Sequence, residues 1–159
     1  MSDNELIVRP ATIKDAPVMR SLAQQTGIAE RTLKRTYSDD ALQVTFKSEH
    51  QHILLAWTAE DALVGMCQYG IPIMDDCDCE DLRTIHTLIL HPDYDEPDSL
   101  RIAFVEAVED TINVEAGVQR LSLYVPADDM ARIKFYARLG FHHEMIEDTP
   151  TEWYMEKDL

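Results

Sequence analysis

Residues 91–104 read HPDYDEPDSLRIAF: the end of an apolar strand, a short loop and the start of a helix. That junction is where many α/β proteins seat a phosphate, because backbone N–H groups and the helix dipole converge there. Four carboxylates occupy it here, Asp93, Asp95, Glu96 and Asp98, and no glycine does. Side chains therefore crowd the backbone approach, and Pro97 removes one donor. A second candidate is DCDCED, residues 76–81, where Cys77 and Cys79 form an i, i+2 thiol pair. Zinc sites want two such pairs or adjacent histidines, so we expect an acidic loop and no metal. With Cys67 the thiols number three, an odd count that suggests no disulfide framework. Of the histidines, His86 lies inside an apolar strand, His91 at its end, and His142 and His143 in a closing hairpin, where they read as surface residues.

Charge narrows the partners. The chain of 159 residues carries 30 acidic and 14 basic side chains, for a net charge of −16. That field repels phosphate backbones, so no nucleic-acid partner is expected. It attracts a cationic small molecule or a basic protein segment, though solubility alone explains such a surface. With 45% hydrophobic residues the chain has material for a core. No apolar run approaches the ~20 residues of a membrane helix, so no membrane partner is expected. The opening MSDNELIVRP lacks the pattern of a secretory signal. We expect a cytoplasmic protein and a single domain over residues 1–159.

Periodicity supplies the elements. LIVRPAT is a short strand, and the segment from Asp15 to Gly27 is a helix with Val18, Met19, Leu22 and Ala23 on one stripe. Residues 28–48 hold one or two helical pieces broken near Ser38, with Leu33, Tyr37, Leu42 and Phe46 as buried contacts. Two strands follow around a turn at Ala59-Glu60-Asp61. DLRTIHTLILHP is a strand whose apolar end, TLIL, suits a sheet covered on both faces. A helix capped by Asp98 or Ser99 carries Leu100, Ala103, Phe104, Ala107, Val108, Thr111 and Ile112 at helical spacing, and Gly117 ends it after about five turns. RLSLYV is the next strand. A strand–helix–strand crossover makes it parallel to the strand ending at Pro92. A short helix stopped by Gly140 and the hairpin FHHEMIED/TEWYMEKD close the chain. The order is β-α-α-β-β-β-α-β-α-β-β. Tyr37 and Trp57 could line a pocket, but core packing suits both.

This order, with FYARLGF where it stands, resembles the GNAT superfamily of N-acetyltransferases over nearly the whole chain. IVRPATIKDAPVMRSLA resembles the opening strand and helix of that family, HPDY its V-x-P-x-Y, and ARIKFYARLGF its A-x-x-F/L-Y-x-x-x-G-F helix, the most specific of the three. The resemblance implies a mixed α/β GNAT fold: a mostly antiparallel sheet of six to seven strands with one parallel pair and about four helices. It implies transfer of an acetyl group from acetyl-CoA to an amine. Tyr136 aligns with the tyrosine beside the thioester sulfur and would be the acid. His86, six residues before Pro92, stands where many members carry a glutamate base. The donor would lie along Leu88, Ile89 and Leu90, at Asp98, Ser99, Leu100 and Arg101, and near Asp129 and Arg132. Asp129 replaces an asparagine common in the family.

The same alignment shows what is missing. After Pro-x-Tyr the family carries R/Q-x-x-G-x-G/A, and here the arginine falls on Asp95 and the glycines on Asp98 and Leu100. A carboxylate a few ångströms from a pyrophosphate costs roughly 1–4 kcal/mol. Loss of a charge-assisted hydrogen bond adds ~1.5–3 kcal/mol. Together these weaken a site by ~10³. Arg101, Arg132, Lys134 and Arg138 could reach phosphates instead, or lie on the surface. The resemblance thus leaves two readings: an acyltransferase with an atypical loop, whose acidic surface favours a cationic amine, or a silent GNAT-like domain that binds a protein partner. A homodimer through the C-terminal strands is compatible with either.

Overall fold

The computed structural model describes residues 6–71, 80–94, 98–115 and 117–159. Strands β1 (Leu6–Pro10), β2 (Gln51–Thr58), β3 (Leu63–Gly70), β4 (Leu82–Leu90), β5 (Arg120–Pro126), β6 (His142–His143) and β7 (Glu152–Asp158) alternate with helices α1 (Ala16–Gln25), α2 (Glu30–Thr36), α3 (Asp39–Lys47), α4 (Ser99–Asn113) and α5 (Met130–Arg138). The seven strands form one sheet in the order β1-β2-β3-β4-β5-β7-β6. β4 and β5 are the parallel pair; β1–β2, β5–β7 and β6–β7 are antiparallel. The expected mixed architecture is therefore present, with five α-helices among the described residues because residues 28–48 fold as two. Ser38 separates them: its hydroxyl accepts the Ala41 N–H at 3.2 Å as the N-cap of α3.

The residues cluster into two compact units, Met1–Tyr69 with Thr87–Val108, and Gly70–His86 with Glu109–Leu159. In the first, Ala16, Met19, Leu22 and Ala23 of α1 pack with Leu33, Tyr37, Leu42, Ile53, Leu55 and Met66, and Phe46 and Trp57 are half-buried against them. Val18, expected on the α1 stripe, is instead 41% exposed. It lies about 100° around the helix from Met19, off the buried arc. The β2–β3 turn falls where expected, with Asp61 at φ 63° and the Thr58 N–H bonded to the Ala62 carbonyl at 2.9 Å. Gly65 on β3 meets α4: a Cβ there would stand 2.7 Å from Phe104 Cε2 and 3.0 Å from Leu90 Cδ2. A glycine lets the helix press onto the strand, and Phe104 is fully buried as a result.

In the second unit β5 pairs with β7 along its whole length, from Arg120↔Asp158 to Pro126↔Glu152. Ion pairs close the lower end. Arg120 bonds both oxygens of Asp81 at 3.1 Å and Glu156 at 2.9 Å, and Arg83 reaches Glu115 at 2.9 Å. The final hairpin is shorter than expected. Of the expected FHHEMIED strand, His142 and His143 pair with β7, and a 3-10 turn at Met145–Glu147 follows. Met145 and Ile146 are 75% and 93% exposed, so no apolar face holds them to the sheet. α4 ends at Asn113, shorter than expected, while Gly117 adopts φ +81° four residues on.

Candidate functional site

β4 passes from a paired to an unpaired edge at His86. Its parallel register with β5 runs from Leu82↔Arg120 to Ile85↔Leu123 and stops, although β5 continues to Pro126. Within the paired stretch, Thr84 and Ser122 are buried and share a 2.8 Å hydrogen bond across the two strands. His86 follows at once. Leu88, Ile89 and Leu90 continue the strand as an apolar run, yet the His86 side chain is exposed. Leu88 and Ile89, expected to be covered on both faces, are half-buried, and only Leu90 is fully buried. The protein around the His86 imidazole still takes part of its hydration, and this desolvation lowers its pKa from the ordinary 6.5. An exposed imidazole that stays neutral at pH 7 is a competent base.

Tyr136 lies on α5 in the same unit and is 4% exposed. Phe135 and Phe141 set their rings edge-on to it at 5.2 and 5.5 Å, interactions that fix the ring plane. Gly140, at φ +99°, allows the chain to turn so that Phe141 returns onto Tyr136, with the Phe141 N–H on the Tyr136 carbonyl at 3.1 Å. The FYARLGF pattern is thus a self-closing aromatic cluster around one phenol. Asp129 caps this helix, accepting the Arg132 N–H at 3.0 Å, so its charge serves the helix. The Arg132 side chain is half-buried, and Lys134 and Arg138 are exposed.

The loop before α4 divides. Asp95, Glu96 and Pro97 lie outside the described residues, as do Cys77 and Cys79. Asp98 and Ser99 are exposed, and the Asp98 carbonyl accepts the Ile102 N–H at 2.9 Å, which places Asp98 at the helix N-cap. Leu100, aligned with a glycine of the family, is 6% exposed, its side chain spent on packing. Arg101, expected to meet a phosphate or lie on the surface, is instead 4% exposed. α4 is embedded more deeply than its sequence stripe suggests, for Arg101 and Val105 widen the buried arc beyond Leu100, Phe104, Val108 and Ile112.

Other candidates are occupied structurally. His91 accepts the Asp93 N–H on Nδ1 at 3.1 Å and sits edge-on to Tyr94 at 5.8 Å, closing the turn after β4. His143 departs from the surface reading: it stacks on Trp153 at 3.9 Å and 5°, with Nε2 2.7 Å from Asp148 Oδ2. His142 is an exposed partner of Glu144 at 3.0 Å. Cys67 is fully buried, and desolvation pushes its thiol pKa up, which makes it inert. No group of three metal-ligating side chains occurs among the described residues, and none of their helices is long and apolar enough to cross a membrane.

Spacing missed one charged neighbourhood. Tyr124, on β5, stands edge-on to Tyr154 at 5.3 Å. Its phenol pKa is raised by desolvation and by the carboxylates of Glu147, Glu152 and Asp148. None of these partners is near Tyr124 in sequence, so no local pattern could reveal them.

This arrangement of strands and helices superposes on solved structures over nearly the whole chain. An acetyltransferase from Thermus thermophilus superposes with a TM-score of 0.76 at 20% identity over 100% of both chains. The PaiA N-acetyltransferase from Thermoplasma acidophilum, in complex with coenzyme A, gives 0.74 at 20% identity over 98% of this chain and 99% of that one. The fold is the GNAT fold. A SpeG spermidine N-acetyltransferase variant from Vibrio cholerae gives 0.71 at 12% identity over 96% and 93% of the two chains. No protein-family model and no curated protein matches the sequence. Against other GNAT folds the present chain keeps its architecture at low identity. Its alignment with the family motif leaves the loop before α4 as the point of departure.

Proposed function

We propose that the protein is an N-acyltransferase that moves an acetyl group from acetyl-CoA to a cationic amine. His86 would be the base and Tyr136 the acid. The observation that carries this reading is His86 itself: an exposed imidazole with a lowered pKa, placed on β4 where its ladder to β5 ends. An ammonium acceptor must first lose a proton to the neutral imidazole, directly or through water. The amine lone pair then forms the N–C bond at the thioester carbonyl and the C–S bond breaks. The nitrogen sheds a second proton, and the Tyr136 hydroxyl gives one to the departing thiolate. One proton is released net. Tyr124, surrounded by Glu147, Asp148 and Glu152, supplies an aromatic and negative surface that suits an acceptor with a second positive charge. The solved structures of similar fold include one holding coenzyme A and a spermidine N-acetyltransferase, which supports both the donor and the acceptor class.

The two ends of the donor fit unequally. Tyr136, a phenol enclosed by Phe135 and Phe141, suits the departing thiolate. Asp98, with a carboxylate, and Leu100, with a buried side chain, do not suit a pyrophosphate. Binding in the millimolar range is expected, about 10³ weaker than an ordinary micromolar site. Calorimetry with acetyl-CoA, propionyl-CoA and coenzyme A at low salt tests this. Heat that saturates in the millimolar range supports the reading; no heat with any of the three ends it. Asp98 and Leu100 also favour a second reading, a GNAT-fold module that binds a partner and transfers nothing. It predicts no rise in melting temperature with coenzyme A, whereas a ligand of the native state raises it.

The His86 shift has a signed consequence. Below the ordinary value of 6.5 the unfolded chain binds a proton that the folded His86 resists. Stability therefore falls as pH drops from about 6.5 through the lower folded value. His86→Gln is expected to flatten that part of the stability curve in urea titrations at pH 5 to 7. A curve that keeps its slope would show that another group is responsible. The wild-type rate should fall on the same acid limb, since protonated His86 accepts nothing.

A further inference from the structure

We propose that Ser122 is a positioning residue for His86, acting through Thr84, a reading that rests on the function proposed above. The Ser122 hydroxyl on β5 and the Thr84 hydroxyl on β4 share a 2.8 Å hydrogen bond, and the two residues are partners in the parallel register. Both are buried. Side chains two apart on a strand share a face, so this bond lies on the face of β4 that carries His86. Around it β5 buries aliphatic residues, Leu121, Leu123 and Val125. An aliphatic pair would fill the place of the two hydroxyls without direction. A hydrogen bond fixes a distance and an angle between the strands.

Before His86, β4 is tied to β5 by charge and by this bond. Asp81, one residue ahead of the strand, holds Arg120 on both oxygens at 3.1 Å, and Arg120 also reaches Glu156 of β7 at 2.9 Å. The Arg120 and Asp81 side chains keep about a third of their surface in water, so solvent screens that tie. The hydroxyl pair is dry, where a hydrogen bond is electrostatically stronger. One further rung, Ile85↔Leu123, completes the ladder, and His86 is the first residue beyond it. The hydroxyl bond therefore sets the angle at which β4 leaves β5, and with it the aim of His86. Small displacements of a base cost rate far more than they cost binding.

Ser122→Ala deletes one hydroxyl of the pair. The expected result is a kcat about ten-fold lower with KM for the amine within about two-fold. The His86 imidazole, followed by NMR titration, should move back toward 6.5 as the strand loosens and water returns. Thr84→Val should reproduce both changes, and Thr84→Ser, which keeps a hydroxyl, should show neither. Each single removal also leaves a buried hydroxyl unpaired, which lowers the melting temperature whatever the pair does for His86. The double variant Thr84→Val/Ser122→Ala leaves none unpaired. It should regain melting temperature while kcat and the His86 midpoint stay shifted. A double variant with wild-type kcat and an unmoved midpoint would show that the pair only fills the core, and would overturn the proposal. If the wild-type protein acetylates no amine, the proposed function fails. The His86 midpoint then decides alone: moved, Ser122 holds the strand end; unmoved, it does not.

Discussion

Tyr136→Phe is expected to lower kcat by about 100-fold while changing KM little, the usual loss when a positioned proton donor is removed. The substitution preserves the ring that Phe135 and Phe141 enclose, so the fold should survive with a melting temperature near that of the wild type. A phenol has an ordinary pKa near 10, close to that of an alkyl thiol, so proton transfer to the departing thiolate is nearly balanced in energy. Deleting the donor leaves the thiolate to depart as an anion or to take its proton from water. The measurement is steady-state acetylation of a diamine at millimolar acetyl-CoA, with circular dichroism to verify folding. An unchanged kcat would remove Tyr136 from the chemistry. If coenzyme A also gave no heat, the non-catalytic module would be the better reading.

Phe104→Ala should be the most destabilising single truncation in the first unit, by about 3–5 kcal/mol. Phe104 is fully buried, and its ring edge covers Gly65, where even one methyl group would collide at 2.7 Å. Neither strand nor helix can close the void without moving backbone, since β3 already approaches as near as a glycine permits. For a chain of this length the loss corresponds to roughly 10 °C in melting temperature. Urea unfolding monitored at two wavelengths would check it. A cost under about 2 kcal/mol would mean that α4 does not pack on β3 as described.

Local pattern carried a good deal of this protein. The α1 arc, the Ser38 break, the turn at Asp61 and the tyrosine helix closed by Gly140 each follow from neighbours within four residues, the range over which helix periodicity and turn chemistry operate. The parallel relation of β4 and β5 followed from crossover handedness. His86 and Tyr136 were visible as candidates because a motif fixes their places along the chain. Their surroundings were not visible. Whether His86 is covered depends on where the β4–β5 ladder stops, and whether Arg101 is buried depends on how deeply α4 sinks onto β3. His143 on Trp153 and the carboxylates around Tyr124 join residues brought together by pairing and packing. Burial and field at a side chain are set by all atoms within several ångströms, most of them remote in sequence. Residue type and spacing therefore named Tyr136 and His86 as candidates, while desolvation and the end of a strand ladder set the surroundings of His86.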